Sequence, residues 1–233
     1  MDDDIVQKIF DLKKSVIIST KHYFCLKLMT MKKLPLQFYD RQDVVQVAKD
    51  MLGKIVVTKI DNIITSGRIV ETEAYTGLTD KASHSYKGRR TARNEHMYAA
   101  PGTAYIYICY GMHQMFNVVT NKKEIPDAVL IRAVEPIDGI AAMLARTGKI
   151  TLDNTLTKGP GNVGKALGIS KQHSGLFLLD DIIAIYEEKK FHLTGAEIGS
   201  SKRIGVESAG ADGLLPYRFY IRGNKFVSGR PNK

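Results

Sequence analysis

A chain of 233 residues can bury one full-sized hydrophobic core, or at most two small ones. Its hydrophobic fraction of 44% and charged fraction of 25% are ordinary for a globular protein, whereas its net charge of +10 favours a polyanionic partner, nucleic acid rather than a membrane. The two cysteines, Cys25 and Cys109, are too few for a disulfide framework or a thiolate zinc site, which favours a reducing cytoplasm.

Residues 1–31 differ in composition from the rest of the chain. They carry five lysines and four aspartates, so nearly all of the net positive charge belongs to the remainder. Met29 and Met31 precede a basic stretch in a context that resembles a natural start of translation. We therefore predict an extension outside the core over 1–31, helical in part over 5–18, and a functional domain over 32–233. The extension has no long apolar run, so neither a signal peptide nor a membrane span is expected.

Strands dominate the elements predicted for the rest of the chain. In chain order, these elements are a helix over 43–52, strands over 54–60 and 63–74, a polar loop over 76–100 with one helical turn near 93–98, strands over 105–110, 115–120 and 128–134, helices over 139–147 and 161–167, strand material over 176–187, and a final hairpin between 191–194 and 217–227. Asp43 is among the possible N-caps of the first helix, and Asp61-Asn62 is the predicted turn after the first strand. Neither a repeated βαβ pattern nor a linker is present, so we predict one α+β domain.

Two carboxylates share one face of the strand over 63–74. Because side chains alternate along a strand, Glu71, Glu73 and Tyr75 lie on the same face. Neighbouring carboxylates repel each other, so one of them is expected to hold a cationic partner or to have a raised pKa. A raised pKa makes a carboxylate a general base near neutral pH. Ordinary glutamates on a solvated strand face are the alternative.

The tyrosine-rich hairpin over 105–120 has an apolar tip, where polar turn residues are usual. A turn over residues 111–113 places Tyr107 opposite Asn117 on the neighbouring strand. Tyr110 and Met112 then stand at the tip, where such side chains can act as a wedge between base pairs. A tyrosine-rich strand that packs on the core is the alternative.

The loop before this hairpin is rich in cations. Four of its residues, Lys87, Arg89, Arg90 and Arg93, are expected to contact backbone phosphates, which gives affinity for nucleic acid without sequence preference. A solvated basic loop is the alternative.

Two other motifs find little support. Residues 159–166 match the first seven positions of a phosphate-binding loop, but the eighth, which should be Ser or Thr, is Ala166. A magnesium site made of Glu71, Glu73 and Asp80 lacks a spacing that indicates a metal-ligand set. We therefore predict neither a metal nor a cofactor.

A series of short motifs runs in order through the chain. They are Arg68-Ile-Val-Glu-Thr-Glu73-Ala-Tyr75, Ala82-Ser-His84-Ser85, Thr91-Ala-Arg93-Asn94, Pro101-Gly-Thr103, Tyr105-Ile-Tyr107-Ile-Cys-Tyr110-Gly-Met112, Phe116-Asn117, Leu130-Ile-Arg132-Ala-Val-Glu-Pro136, Gly159-Pro-Gly161, Ala166-Leu-Gly-Ile169 and Arg218-Phe-Tyr-Ile-Arg222-Gly223. Together they resemble the alkyladenine (3-methyladenine) DNA glycosylase family over residues 38–228. Asn162 and Val163 are a departure, because the family often has Lys-Leu there, and the change would weaken a DNA contact at this position.

The resemblance implies a compact domain with a curved antiparallel sheet, surrounding helices and a protruding hairpin that inserts into DNA. It also implies a monofunctional glycosylase, free of metal and cofactor, that flips alkylated purines out of double-stranded DNA and cuts their N-glycosidic bond in base excision repair. No lysine matches a Schiff-base role, so strand nicking is not expected. We expect a monomer that works in the cytoplasm, at the bacterial nucleoid.

Residue roles follow from the matching positions. The resemblance implies that Glu73 is the general base that activates the attacking water, and that Arg132 helps to position that water or the nearby phosphate. Two alternatives stay open: a non-catalytic nucleic-acid-binding module and a magnesium-dependent nuclease.

The same resemblance assigns the residues that hold the base. Tyr75 and Tyr107 would sandwich the flipped purine, and His84 would contact it from the pocket edge. Tyr110 would fill the gap left in the duplex. Asn117 would lie against the purine edge and discriminate against the 2-amino group of normal guanine.

Overall fold

The computed structural model describes residues 31–229 of the chain. Nearly all of the predicted N-terminal extension, including the predicted helix over 5–18, lies outside the described residues. From Lys33 onward, the described part of the chain forms one unit. None of its helices is long and apolar enough to cross a bilayer.

Nine strands and four α-helices are present within residues 31–229. The strands are β1 (Met31–Lys33), β2 (Ile55–Ile60), β3 (Ile63–Tyr75), β4 (Ala104–Cys109), β5 (His113–Thr120), β6 (Asp127–Asp138), β7 (Ile183–Glu188), β8 (Ile198–Ser201) and β9 (Arg218–Ile221). The α-helices are α1 (Leu36–Tyr39), α2 (Val44–Asp50), α3 (Ile140–Thr147) and α4 (Pro160–Leu167). Short 3-10 helices span Tyr86–Gly88, Glu95–Tyr98, Lys171–His173, Gly195–Glu197 and Glu207–Leu214.

A curved antiparallel sheet organises the fold, and β3 is its central strand. The order across the sheet is β7-β2-β3-β6-β5-β4, while β9 pairs with both β3 and β8. Strand β2 pairs with the first half of β3, and β9 pairs with Glu71, Thr72 and Glu73 further along. Strand β6 follows β3 along most of its length. The predicted single α+β domain with an antiparallel sheet is therefore confirmed.

Local sequence patterns explain the elements that precede β3. The Asp43 carboxylate accepts a hydrogen bond from the Gln46 amide at 2.9 Å and thereby caps α2. Asp61 and Asn62 have φ of +52° and +60°, the left-handed conformation of a two-residue hairpin turn, which these residue types tolerate. Both predictions are confirmed.

Strand β3 separates the main core from the carboxylate-bearing face. Register shifts on either side of Glu71 interrupt its pairing with β6, and such bulges bend and twist a strand. Ile69 and Ala74 pack in the main core with Val47 of α2. Glu71 and Glu73 are turned to the other side, where both are fully buried.

The predicted final hairpin is wrong. Strand β9 pairs with β8, so residues 191–194 form no strand with it. Phe191 instead stacks against Arg68, whose guanidinium carbon lies 3.8 Å from the ring centre. Phe191 therefore serves tertiary packing, which overrides local propensity.

The strand material predicted over 176–187 is divided between two places in the sheet. Its second part is β7, which pairs with β2. Its first part lies beside β4, where the Ala104 amide donates to the Leu176 carbonyl at 2.8 Å and the Leu178 amide donates to the Gly102 carbonyl at 2.8 Å. The segment thus covers part of the free edge of β4.

Candidate active site

A cavity of about 270 Å³ lies beside the carboxylate-bearing face of β3. Strands β3, β4, β5 and β6 contribute to its walls, and its lining includes most of the predicted site residues: Tyr75, His84, Arg93, Tyr107, Tyr110, Asn117 and Arg132. Glu73 is fully buried behind this lining and contacts it through Tyr75 and Arg132. The folded chain therefore brings the predicted pocket residues together.

The register of the β4–β5 hairpin differs from the prediction by two residues. Tyr107 lies opposite Met115, and Asn117 lies opposite Tyr105, because the turn comprises residues 110–112. The first two turn residues have φ of +48° and +72°. The predicted pairing of Tyr107 with Asn117 was wrong, but a shift of two residues preserves the alternation of faces. Both side chains consequently still line the cavity.

The carboxylate of Glu71 is enclosed by hydrogen-bond donors. Oε1 accepts from Arg132 Nε at 3.0 Å, from Arg218 Nε at 2.7 Å and from the Ser228 hydroxyl at 2.8 Å. Oε2 accepts from the Ser228 amide at 2.6 Å. A buried carboxylate with two arginines and two further donors is satisfied as an anion, so Glu71 is bound to its neighbours and has no free oxygen for a substrate.

Glu73 has fewer partners and lies next to the cavity. Its Oε2 accepts from the Tyr75 hydroxyl at 2.8 Å and lies 3.2 Å from Arg132 Nη1, while Oε1 accepts from the Ile204 amide at 2.8 Å. Burial raises the pKa of Glu73, although Arg132, the Ile204 amide and the Tyr75 hydroxyl act in the opposite direction. One carboxylate of the pair was expected to hold a cationic partner or to have a raised pKa. Both carboxylates have arginine partners, and burial raises the pKa of Glu73.

Aromatic rings form much of the remaining wall. The His84 and Tyr107 rings meet edge to face, with centroids 4.5 Å apart, and His84 Nδ1 hydrogen-bonds the Tyr105 hydroxyl at 2.8 Å. Burial, followed by the charges of Arg93 and Arg89, lowers the pKa of His84 to about 4. Burial also raises the pKa of Tyr107 to about 12. At neutral pH both rings are thus uncharged.

The side-chain amide of Asn117 is fixed at the cavity wall. Its Nδ2 donates to the carbonyls of Tyr105 at 3.2 Å and Met115 at 3.1 Å. Both amide hydrogens are used in these bonds, so the Oδ1 carbonyl is the atom left for a ligand. The cavity consequently combines a buried base candidate, uncharged rings and a fixed amide.

Comparison with known proteins identifies the family. The model of the methylpurine-DNA glycosylase family matches residues 37–225. The chain belongs to this family. A similar protein of Bacillus cytotoxicus, named "Putative 3-methyladenine DNA glycosylase", is 45% identical over 203 residues, which cover 84% of this chain and 99% of that protein. A protein of the same name from Desulfitobacterium hafniense is 42% identical over 85% of this chain and 99% of its own length. Another, from Clostridium perfringens, is 40% identical over 84% of this chain and 98% of its own length.

The hairpin tip of this methylpurine-DNA glycosylase family member is exposed. Tyr110 is 86% exposed and Met112 is 70% exposed. Large apolar side chains at such exposure find no packing partner within the domain, and Tyr110 also contributes to the cavity lining. The tip therefore adjoins the cavity.

The basic loop divides into free and bound cations. Lys87, Arg89 and Arg93 are exposed, and the Arg93 guanidinium carbon lies 5.4 Å from the Tyr107 ring centre. Arg90, in contrast, pairs with two carboxylates, Glu95 at 2.6 Å and Glu124 at 2.5 Å. Of the four loop cations expected to contact phosphates, Arg90 is therefore paired, whereas the other three have no carboxylate partner among the described residues.

Buried Asn94 holds this loop in shape. Its Nδ2 donates to the carbonyls of His84 at 3.1 Å and Arg89 at 2.8 Å, and its Oδ1 accepts from the Thr91 amide at 2.7 Å. The loop is therefore a fixed platform beside the cavity. In the sequence, Asn94 is recognisable only as part of a short motif. Its hydrogen bonds within the loop could be identified only from the structure.

Sequence reasoning missed a second group of site residues. Ile204, Gly205 and Val206 line the cavity, and Arg203 beside them is fully buried against Asp80. No local pattern marks this segment, since its partners lie far away in the chain. A signal was available for Arg218, which belongs to one of the quoted motifs and proves to bind Glu71.

The carboxylates of the magnesium alternative each have an arginine as a partner. Asp80 is bound by Arg203, and Glu71 by Arg132 and Arg218. Over residues 31–229, no three His, Cys, Asp or Glu side chains are grouped so as to hold a metal ion. The geometry thus favours the glycosylase chemistry of the family over a metal-dependent nuclease.

Proposed function

We propose that this protein is a monofunctional DNA glycosylase that removes alkylated purines, 3-methyladenine among them, from double-stranded DNA. The observation that carries the proposal is the contrast at β3: Glu71 is saturated by donors, while Glu73 has a raised pKa and adjoins an aromatic cavity. Membership of the methylpurine-DNA glycosylase family supports the same activity.

Base flipping fits the dimensions and chemistry of the cavity. An enzyme that acts on the glycosidic bond must first take the nucleotide out of the stack, at a cost of about a few kcal/mol that is smaller for damaged pairs. Tyr75 and Tyr107 are proposed to bind the flipped purine between their rings, and cation–π attraction contributes roughly 0.5–2 kcal/mol per contact with a cationic base. Tyr110 and Met112 at the tip are proposed to occupy the space left in the duplex.

Hydrolysis requires a base more than an acid. A cationic alkylated purine is already a good leaving group, since it takes the electron pair of the broken C1′–N bond and becomes neutral. Glu73 is proposed to accept a proton from the water that attacks C1′, while Arg132 orients this water and the carboxylate. The raised pKa of Glu73 strengthens it as a base near neutral pH.

Selectivity is proposed to arise at the purine edge. Asn117 is held by two hydrogen bonds to backbone carbonyls, so it cannot move aside for the 2-amino group of normal guanine. His84 is uncharged at neutral pH and can hydrogen-bond the base or its sugar without repelling a cationic lesion. These two residues would thus select the lesion after the wedge has exposed it.

Duplex affinity is assigned to Lys87, Arg89 and Arg93, as contacts to backbone phosphates. We infer that one copy of the chain is sufficient, because a wedge and a pocket on the same domain form a complete site. We also infer a cytoplasmic location, at the nucleoid, from the DNA substrate. The cavity lining contains no lysine among the described residues, which supports base release without a Schiff base.

One assay separates the three candidate functions. Methylated duplex DNA is incubated with the protein in EDTA, and free 3-methyladenine and strand length are measured. We expect release of the base from an intact backbone. Binding without release indicates a non-catalytic module, and backbone cleavage that EDTA abolishes indicates a magnesium-dependent nuclease; either result overturns the proposal.

A further inference from the structure

Arg203 and Asp80 form an ion pair in which both side chains are fully buried. Arg203 Nη2 donates to Asp80 Oδ1 at 2.9 Å, and Nη1 contacts the other carboxylate oxygen. The residues are 123 positions apart, so the pair joins two segments that meet only in the folded protein. Desolvation offsets much of the Coulombic attraction in a buried pair, which makes stability alone a weak explanation for it.

Both segments continue directly into the cavity wall. The Asp80 carboxylate also accepts from the Ala82 amide at 2.9 Å, and residues 82–84 line the cavity. Residues 204–206, which follow Arg203, line the same cavity. The ion pair therefore fixes the position of one wall segment relative to the other.

Arg203 also contacts the groups around the proposed base. Its guanidinium carbon lies 4.7 Å from the Tyr75 ring centre, and Nη1 donates to the Ala74 carbonyl at 2.9 Å. The amide of the next residue, Ile204, donates to Oε1 of Glu73 at 2.8 Å. A displacement of Arg203 must consequently move both the ring of Tyr75 and a hydrogen-bond donor of Glu73.

We propose that Arg203 and Asp80 are a positioning pair that keeps the Ile204 amide on Glu73 and the Tyr75 ring in the cavity wall during base excision. The inference rests on the proposed role of Glu73 as the general base. The pair acts through Ile204 and Tyr75 and does not contact the reacting atoms itself.

The arrangement has a consequence for the pH dependence of catalysis. The other charged or titratable groups around Glu73 are Arg132, Glu71 and Tyr75. The Ile204 hydrogen bond lowers the pKa of Glu73, against the larger effect of burial. Loss of this bond therefore raises that pKa further, and Glu73 remains protonated, and inactive as a base, up to a higher pH.

The test uses the full chain and two variants. Arg203→Lys keeps a cation next to Asp80 but cannot also reach the Ala74 and Asp212 carbonyls, to which Arg203 donates at 2.9 Å each. The double variant Asp80→Asn/Arg203→Gln replaces the pair with two neutral amides, so that no uncompensated buried charge is left. Arg68→Gln/Glu188→Gln is the control, because it removes an ion pair at β3 whose residues do not line the cavity.

The measurements are single-turnover release of 3-methyladenine against pH, affinity for undamaged duplex, and thermal unfolding. We expect both Arg203 variants to lose about 10–100-fold in release rate, as for a small misplacement of reacting groups. In the profile of release rate against pH, the acidic limb of both variants should move toward neutral pH. Their affinity for undamaged duplex should stay within about twofold of the wild-type value. The control should match the wild type in rate and in pH profile.

A wild-type rate and pH profile in either folded Arg203 variant overturns the inference and leaves the pair a structural contact. Failure of the proposed function is a different result, because then the wild type itself releases no free purine or Glu73→Gln releases it normally. If the double variant does not fold, Arg203→Lys alone decides between the two outcomes.

Discussion

Glu71 and Glu73 are fully buried behind the wall of the cavity, and their oxygens accept hydrogen bonds at 2.6–3.0 Å, whereas Tyr110 and Met112 at the rim are 86% and 70% exposed. The wall holds its polar groups in fixed positions, as a reaction that depends on alignment requires. The rim leaves two large apolar side chains exposed, and the cations beside it, Lys87, Arg89 and Arg93, have no carboxylate partner among the described residues, as a surface that binds DNA requires. Changes in the wall should therefore affect rate or stability, and changes at the rim should affect affinity.

The largest effect is expected for Glu73→Gln. The substitution keeps the size of the side chain but removes the proton acceptor, and general-base catalysis typically contributes about 10²–10⁴-fold to a rate. Single-turnover release of 3-methyladenine should fall by at least this factor, while affinity for lesion-containing duplex changes little. If the variant still excises the base, Glu73 is not the general base. The expectation that changes in the wall affect the rate and changes at the rim affect the affinity then fails as well.

Glu71→Gln should affect stability before it affects chemistry. The change leaves Arg132 and Arg218 with an uncompensated buried charge, and breaking one partner of a buried pair typically costs about 3–5 kcal/mol. A urea titration should show a midpoint well below that of the wild type. Glu188→Gln, which breaks a half-exposed pair with Arg68, is the control and should cost about 0–1 kcal/mol. Equal midpoints for the two variants would contradict the structural role of Glu71.

At the rim, Tyr110→Ala should weaken binding to damaged DNA. Stacking of an aromatic side chain on a base is worth about 1–3 kcal/mol by alanine substitution, so affinity for a lesion-containing duplex should fall about 5–150-fold. A 2-aminopurine placed next to the lesion reports base flipping by fluorescence. Ile150→Ala, at a side chain that is 95% exposed in the loop after α3, controls for loss of surface area. Wild-type flipping in Tyr110→Ala would defeat the wedge proposal.

The features that sequence patterns predicted well are those decided within one strand or one turn. Alternation along β3 places Glu71, Glu73 and Tyr75 on one side, and the structure bears this out. The β4–β5 register could not be fixed in this way, since it depends on whether the turn starts at Tyr110 or at Gly111. The error did not disturb the pocket, because two residues is the period of a strand.

Features that depend on contacts between distant segments of the chain could not be predicted from the sequence. Strand β9 pairs with β8 and not with residues 191–194, and the pairing of Arg203 with Asp80 depends on how two loops meet. Neither segment carries a local pattern that names its partner. The resemblance to a family assigned roles to residues at matching positions. It did not predict the hydrogen bonds and ion pairs that hold those residues in place.

The smallest effects are expected for single cations of the basic loop. Lys87→Ala and Arg93→Ala each remove one proposed phosphate contact, so affinity should fall for damaged and undamaged duplexes alike. The slope of log affinity against log salt concentration should decrease by about one unit for each variant. Arg90→Ala is the matched control from the same loop, because Arg90 is already paired with Glu95 and Glu124 and should release fewer counterions. An equal loss of slope in all three variants would mean that the loop acts through its total charge, and the division into free and bound cations at the rim would fail.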